Sequence, residues 1–189
     1  EADGLENIKQ ELLTLLQEAD LVGETGLDYY RNLSSKENQI KNFEFHLNIS
    51  EELNKPLIIH CRDAFSDVFD ILSSKDANNP IILHSWTGGN KWTKRFVELG
   101  VYFSISGIIT YETAHDLQAA VTKIPRDRLL LETDVPYLSP QPFKGKKNNP
   151  TYIKYTGAKV AELLDLTPNE LSEITISNTN KVMKRDTYE

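Results

Sequence analysis

The stretch PLIIHCRD, residues 56–63, decides the fold class of this chain. Its three consecutive apolar residues predict a short strand that is apolar on both faces, and apolar residues then recur at helical spacing from Phe65 to Leu72. Short strands without polar alternation are typical of parallel sheets whose two faces are both covered by helices. The stretch therefore predicts one parallel β-α unit, with His60 at the end of its strand.

The same alternation of strand and helix repeats on either side of this stretch. Ser34 with Glu37 indicates a capping box at one helix start, and Asn90 is a candidate N-cap for another. The predicted strands lie at 19–22, 56–60, 81–84, 101–106 and 129–132, and the predicted helices at 5–16, 34–54, 65–72, 90–99, 113–124, 156–165 and 168–183. This order predicts an α/β fold.

The composition narrows the class of protein. The chain has 189 residues, of which 39% are hydrophobic and 26% charged, which is typical of an ordinary globular domain. No repeat or linker suggests a second domain, so residues 1–189 are predicted to form one domain. The net charge of −7 excludes a basic coat protein, and any contact with nucleic acid then requires a local basic patch or a bound cation.

Membrane insertion and disulfide bonding are both disfavoured. The purely apolar runs, such as residues 57–59, fall far below the roughly 18 residues that a membrane span needs. Cys61 is the only cysteine, which excludes an intrachain disulfide and an all-cysteine zinc site. We therefore predict a cytoplasmic protein in which Cys61 is a small buried side chain rather than a nucleophile.

Four polar residues come at or just beyond the carboxyl ends of predicted strands: Glu24, His60, His84 and Asp134. Parallel α/β folds gather their active sites at that edge. Each residue alone is as readily a core or capping residue as a ligand. Imidazole nitrogens and carboxylate oxygens together are the donors that a divalent transition metal selects, so the four residues predict a metal site.

Basic residues near the same edge are candidates for phosphate binding. Arg62 could bind a phosphate oxygen bidentately, or it could pair with Asp63 instead. Residues 144–149 form the one concentrated basic stretch, which is either a solvated loop or a phosphate contact. His46 and His115 fall within predicted helices and are interpreted as structural.

Six motifs, taken together, resemble one known family. The sequence is similar to the TatD-related metal-dependent deoxyribonucleases over nearly its whole length. The motifs are GETGLDYY (23–30), KPLIIHCRDAF (55–65), ILHSWTGG (82–89), FSISGIIT (103–110), LLLETDVPYLSP (129–140) and GKKNNPTYI (145–153). The resemblance implies a (β/α)₈ TIM barrel of the amidohydrolase type with a two-metal site at its carboxyl-terminal rim.

The same resemblance implies which residues would form that site. The family builds it from a His-x-His pair on the first strand, a Glu on the fourth, His on the fifth and sixth, and Asp on the eighth. By motif, Glu24 matches the fourth-strand Glu, His60 and His84 match the two later His residues, and Asp134 matches the Asp. The chain would then hold at most four of the six ligands.

The sequence departs from the family pattern at one place, because it contains no His-x-His. Its five predicted strands match strands four to eight, and a barrel of about 250 residues exceeds this chain by roughly 60. We therefore expect the chain to be the C-terminal part of such a barrel, with about the first three strands missing. Five strands alone leave an uncovered edge, so we also expect association with another chain or with the missing N-terminal segment.

The function implied by the resemblance is a metal-dependent deoxyribonuclease that hydrolyses phosphodiester bonds in DNA. Asp134 would act as general base, Glu24 would bridge or hold two divalent ions (Zn, Mn or Mg), and Arg62 and Lys146 would bind substrate phosphates. Three alternatives stay open: an amide, lactone or ester hydrolase of the same barrel type, a repair-related or tRNA-proofreading hydrolase, or an inactive truncated binding module.

Overall fold

A computed structural model describes residues 4–75 and 78–184 of the chain. The chain divides into two compact units, Glu1–His84 and Ser85–Glu189, and each is described by itself below. Among the described residues, no helix is long and apolar enough to cross a membrane.

The described residues of the first unit form three β-strands and three helices in alternation. They are α1 (Leu5–Glu18), β1 (Val22–Asp28), α2 (Lys36–Glu52), β2 (Leu57–Arg62), α3 (Phe65–Ser73) and β3 (Ile81–Leu83). β2 lies between the other two strands and pairs in parallel with both. The predicted parallel β-α units are therefore confirmed in this unit.

The core of the first unit lies between the strands and the helices that cover them. Side chains from all three strands are fully buried, as are Phe43 of α2 and Val68 of α3. The Lys55 ammonium donates to the carbonyls of Leu16 and Gln17 at 2.8 and 2.6 Å. These carbonyls belong to the last turn of α1, where free carbonyls favour a cation, so Lys55 ties the end of α1 to the start of β2.

His46 is a structural residue, as predicted from its place in a helix. Its side chain is buried in α2, and its Nδ1–H donates to the carbonyl of Asn42 at 2.8 Å. Burial disfavours the imidazolium form and lowers the pKa of His46 below its usual value, although the bond to Asn42 acts in the opposite direction.

The second unit contains two parallel strands and four α-helices. They are α4 (Asn90–Glu98), β4 (Tyr102–Ile105), α5 (His115–Val121), β5 (Leu129–Leu131), α6 (Ile153–Leu163) and α7 (Pro168–Val182), with short 3₁₀ turns at Gly107–Thr110, Arg126–Arg128 and Pro150–Tyr152. β4 pairs in parallel with β5, with Phe103 opposite Leu129.

An aromatic cluster forms part of the core of the second unit. The Trp86 ring is almost fully buried and makes edge contacts with Phe96 of α4 and Phe103 of β4 at 5.4 and 5.2 Å between ring centroids. Its indole N–H donates to the Thr93 hydroxyl at 2.9 Å, so the one polar atom of this buried ring has a partner. The cluster packs α4 against β4.

Two predicted helix starts are wrong by one residue. Ser35, not Ser34, caps α2, because its hydroxyl accepts from the Asn38 N–H while the Ser34 carbonyl accepts from Gln39. Asn90 is the first helical residue of α4, and the extended Gly89 is its N-cap. A capping side chain and its neighbour of the same chemistry differ only in backbone conformation, so the pattern identifies the turn but not the residue.

Candidate metal centre

Glu24 lies inside β1 and His60 lies inside β2, two residues before its end, so the predicted positions of both residues at strand ends are wrong. β1 extends four residues beyond Glu24 to Asp28, and its pairing with β2 shifts register between Val22 and Thr25. Gly23 adopts a φ of +140°, and a Cβ there would lie 2.8 Å from the Ile58 carbonyl oxygen. Only glycine allows this approach, and the irregular strand leaves the Glu24 side chain about half exposed, at 47%.

Gly26 brings β1 equally close to β2 at His60. Gly26 is opposite His60 in the parallel register, with a φ of +135°. A Cβ at this position would overlap the backbone carbonyl of His60. The absence of a side chain at Gly26 therefore sets how near His60 comes to the carboxylates of β1.

Glu24, His60 and His84 bring three metal-binding atoms together. The Glu24 Oε1 lies 3.0 Å from His60 Nδ1 and 3.7 Å from His84 Nε2, and one donor atom of each residue lies within 4.8 Å of the others. The two imidazole centroids are 6.2 Å apart. The structure thus confirms that these three of the four predicted ligands converge.

The spacing of these atoms fits a divalent cation. Bonds of about 2.1 Å from one ion to nitrogen and oxygen ligands separate neighbouring ligand atoms by about 3.0 to 3.4 Å, in octahedral or tetrahedral geometry. The separations of 3.0 and 3.7 Å bracket that interval. Two imidazoles and a carboxylate also match the donor preference of Zn²⁺ and Mn²⁺, so the residues present fit a metal ion.

Hydrogen bonding between Glu24 and His60 shifts the pKa values of both side chains toward their charged forms. The hydrogen bond to His60 lowers the pKa of Glu24 below its usual value, against the opposing effect of burial. The same bond to Glu24 raises the pKa of His60, again against burial, and Asp28 adds to the increase. A carboxylate kept ionised next to two imidazoles is the charge state that metal ligation requires.

Asp28 is a site residue that our sequence analysis missed. Its Oδ2 lies 3.1 Å from His60 Nε2, on the side of the ring opposite Glu24. Burial acts to raise the pKa of Asp28, but hydrogen bonds from Arg31, His60 and Tyr30 outweigh it and hold the pKa below its usual value. The signal was present in the GETGLDYY motif, because a second carboxylate four residues after Glu24 falls on the same strand.

Arg62 and Tyr30 form a stacked pair at the ends of β2 and β1. The Arg62 guanidinium carbon lies 3.8 Å from the centroid of the Tyr30 ring, and the Tyr30 side chain is 64% exposed. Arg62 therefore stacks on an aromatic face and does not form the alternative pair with Asp63. This contact leaves the N–H groups at the guanidinium edge available to an anion.

Asp134 lies in the second unit, three residues beyond β5, as its place in the sequence predicted. It has a φ of +56°, and its carbonyl accepts from the Tyr137 N–H at 2.7 Å. Asp134 is thus the start of a tight turn that leaves the strand. Its convergence with Glu24, His60 and His84 stays a prediction.

The basic loop that contains Lys146 is also in the second unit. The Ser139 hydroxyl donates to the Lys146 carbonyl at 2.6 Å, and the buried Asn148 amide donates to the carbonyls of Thr133 and Tyr137, both at 2.6 Å. Lys146 itself is exposed, with its ammonium 5.9 Å from the Phe143 ring centroid. The loop backbone is therefore fixed while its lysine side chains face solvent.

Cys61 is buried, as predicted. Burial raises the pKa of its thiol to about 12, so it is not a thiolate at neutral pH. This small side chain occupies the strand position between His60 and Arg62.

Parallel β-α units with imidazole and carboxylate donors on their strands are typical of metal-dependent hydrolases with a TIM-barrel fold. The family model described as TatD related DNase matches residues 1–184, and the chain belongs to that family. Its fold class is therefore the α/β barrel of the TatD type, as the sequence motifs implied.

Curated relatives and a solved structure agree with this assignment. The chain is 39% identical over 177 residues to the uncharacterized metal-dependent hydrolase BU355 of Buchnera aphidicola, and 38% identical over 164 residues to the uncharacterized metal-dependent hydrolase YabD of Bacillus subtilis. These matches cover 92% and 86% of this chain. The crystal structure of YJJV, a TatD homologue from Escherichia coli, is similar with a TM-score of 0.87 and 27% identity, over 96% of this chain and 70% of that one. The chain spans about two thirds of the length of the two curated relatives, 67% and 64%.

Proposed function

We propose that this chain belongs to a metal-dependent phosphodiesterase that hydrolyses DNA. The observation that carries the proposal is the convergence of Glu24, His60 and His84, with separations of 3.0 and 3.7 Å, in a member of the TatD-related DNase family. The donor set supports one divalent ion directly. Two ions, of Zn, Mn or Mg, are proposed for the complete site.

The residues of the chain have distinct roles in this hydrolysis. A bound divalent cation supplies polarisation of the phosphoryl group and lowers the pKa of water to near neutrality. Glu24, His60 and His84 hold the cation. Asp134 would take the proton of the attacking water as the water oxygen bonds to phosphorus, and the phosphorus bond to the leaving sugar oxygen would break as that oxygen takes the proton back from Asp134.

Arg62 is proposed to bind the scissile phosphate. Its guanidinium carbon lies over the Tyr30 ring, 3.8 Å from the centroid, at the end of the strand that carries His60. A guanidinium in contact with an aromatic ring loses less freedom when it donates two hydrogen bonds to phosphate oxygens.

A charge-segregated segment supports a nucleic acid as the substrate. Residues 135–161 contain five lysines and no acidic residue, whereas the other 162 residues carry a formal charge of −12 within the chain total of −7. One lysine, Lys159, pairs with Glu162 at 2.8 Å. The other four, Lys144, Lys146, Lys147 and Lys154, are exposed, and none of them forms an ion pair within the part of the chain that the structure describes.

Aromatic rings lie among these four lysines, which we call the basic surface. Phe143 stacks on Tyr152 at 4.1 Å between centroids, and the ammonium groups of Lys144 and Lys154 lie 4.3 and 5.2 Å from the ring centroids of Tyr111 and Tyr155. Tyr137 is 67% exposed beside the same loop. Lysines interleaved with aromatic rings are typical of surfaces that bind single-stranded nucleic acid, so we propose Lys146 and its neighbours as contacts to the phosphate backbone.

Hydrolysis of labelled single-stranded and duplex DNA by the purified protein, with Mn²⁺, Mg²⁺ or Zn²⁺ and with chelator, tests the function. We expect metal-dependent cleavage that Asp134→Ala reduces by at least about 1000-fold, because removal of the water proton by the base stabilises the transition state and not the bound substrate. Arg62→Ala should mainly raise KM. Turnover of amide, lactone or ester substrates without cleavage of DNA would identify the other hydrolase class, and metal binding without any turnover would identify a binding module.

Binding of a fluorescent single-stranded oligonucleotide in chelator tests the basic surface without hydrolysis. The triple variant Lys144→Gln, Lys146→Gln, Lys147→Gln should bind more weakly, with a slope of log affinity against log salt that is less steep by about 2. The matched control replaces Lys94, Lys123 and Lys181, three exposed lysines of the same unit, by Gln. Equal losses in the two triple variants would contradict a specific surface, and stronger binding of an acidic peptide would point to a protein partner.

A further inference from the structure

We infer that Asp28 is the positioning residue of the metal centre, because it accepts a hydrogen bond from His60 Nε2–H and so leaves His60 Nδ1 as the nitrogen that binds the cation. The inference rests on the metal site proposed above and adds a residue that holds a ligand but does not bind the cation itself. Its basis is the geometry around both nitrogens of one imidazole ring.

The two nitrogens of His60 face two different carboxylates. Nδ1 lies 3.0 Å from Glu24 Oε1, within the cluster that also contains His84, whereas Nε2 lies 3.1 Å from Asp28 Oδ2. A neutral imidazole carries its proton on one nitrogen and a lone pair on the other. Both carboxylates accept only, so without a cation either nitrogen can carry the proton. His84 lies with Glu24 on the Nδ1 side, so a cation held by Glu24 and His84 would take the Nδ1 lone pair, and the proton would then lie on Nε2, where Asp28 accepts it.

The Asp28 carboxylate is itself fixed by the backbone. Its Oδ1 accepts from the N–H groups of Tyr30 and Arg31 at 3.0 and 2.7 Å, which leaves Oδ2 directed at His60. The side chain is 23% exposed, so water competes only in part for this position. A carboxylate with one oxygen already bound twice has no free rotation, and it sets the plane of the imidazole as well as its tautomer.

The main chain of Asp28 is anchored in turn by α2. Its N–H donates to Gln39 Oε1 at 2.8 Å, and Gln39 Nε2 donates to the carbonyl of Ser34 at 2.9 Å. Gln39 is buried. Strand and helix therefore both hold Asp28 in place before any cation binds, which reduces the reorganisation needed for binding.

The substitution Asp28→Asn tests this role with little change of shape. An asparagine Oδ1 still accepts from Tyr30 and Arg31, so its Nδ2 would face His60 Nε2 with a donor in place of an acceptor. His60 would then carry its proton on Nδ1, the nitrogen that should bind the cation. We expect the affinity for Zn²⁺ or Co²⁺ to fall by about 10- to 100-fold, as for other partners of metal-binding His residues.

Two measurements decide the inference. Long-range proton–nitrogen correlation spectra of the isotope-labelled protein, at a pH where the imidazole is neutral, should show the Nε2–H form of His60 in the zinc-bound wild type and the Nδ1–H form in metal-free Asp28→Asn. Calorimetric titration with Zn²⁺ should show the loss of affinity. The melting temperature of the metal-free variant should match that of the wild type, because the backbone contacts of residue 28 persist.

Asp63→Asn is the matched control, since it removes the same charge three residues from His60 on an exposed side chain. It should leave both the tautomer and the zinc affinity unchanged. An Nδ1–H form of His60 in the zinc-bound wild type, or equal zinc affinity of Asp28→Asn and wild type, would overturn the inference. A wild type with no affinity for any divalent ion would instead contradict the metal site on which the inference rests.

Discussion

The strand-borne cluster of Glu24, Asp28 and His60 and the loop around Asp134 place their charged groups by different means. In the cluster, the parallel register of β1 and β2 and the glycines opposite β2 determine which side chains meet. In the loop, residues 133–148 are held by single hydrogen bonds from Asn148 and Ser139 to backbone carbonyls. A strand site thus depends on close backbone approach, whereas a loop site depends on a few buried polar side chains.

The largest loss of stability should come from adding a side chain between β1 and β2. Gly26→Ala introduces a Cβ that overlaps the His60 carbonyl at a φ of +135°, so we expect a loss of about 3 kcal/mol or more in the free energy of unfolding. Urea unfolding measures it.

Gly145→Ala in the loop provides the comparison, because its φ of +86° is strained but no atom lies within 4 Å of the added Cβ. We expect a loss of only about 1 kcal/mol there. Equal losses at the two glycines would mean that conformational strain, and not close approach, governs both regions.

Asn148→Ala should have the next largest effect and should act on the loop. It removes two hydrogen bonds of 2.6 Å from a buried amide and leaves the carbonyls of Thr133 and Tyr137 without that donor. We expect the unfolding free energy to fall by about 2 kcal/mol. Hydrogen exchange of the amides at 134–148 should rise while exchange in β1 and β2 stays at wild-type rates, and a uniform increase over both regions would contradict the distinction.

The smallest effect is the pH dependence contributed by His46. Its folded pKa lies below its unfolded value of about 6.5, so the unfolded state binds the extra proton as the pH falls. The contribution of His46 to stability is complete above about pH 6.5 and is lost below it, with a slope of at most about 1.4 kcal/mol per pH unit.

His46→Gln should flatten the curve of unfolding free energy against pH between neutrality and about pH 5 relative to the wild type. His115→Gln is the control, because His115 is exposed at the start of α5. An unchanged curve for His46→Gln would show that the imidazole is protonated as readily in the folded protein as in the unfolded one.

Sequence reasoning identified β2, β3, β4 and β5 because each contains a short apolar run, and it identified the ligand types because imidazole and carboxylate side chains lie on or directly after such runs. The strand predicted at 19–22 is wrong except at Val22, because β1 covers Val22–Asp28 and contains two glycines and two acidic residues. The sequence analysis placed Glu24 beyond the strand because glycine-rich segments usually indicate turns. In the structure, Gly23 and Gly26 lie within β1 and allow its backbone to approach β2 closely. The sequence analysis missed Asp28 because the partner of a ligand is identified only when the ring orientation of His60 is known. The helix cap at Ser35 was missed by one residue because Ser34 and Ser35 have the same side chain and differ only in backbone conformation, which the sequence does not show.

The aromatic cluster around Trp86 has a spectroscopic consequence. The chain has two tryptophans, Trp86 and Trp92, and both belong to the second unit. Intrinsic tryptophan emission therefore originates beside α4 and β4, and α1, α2 and α3 contain no tryptophan. A tryptophan introduced at Phe43, which is fully buried in α2, would give the metal-binding unit an optical signal of its own.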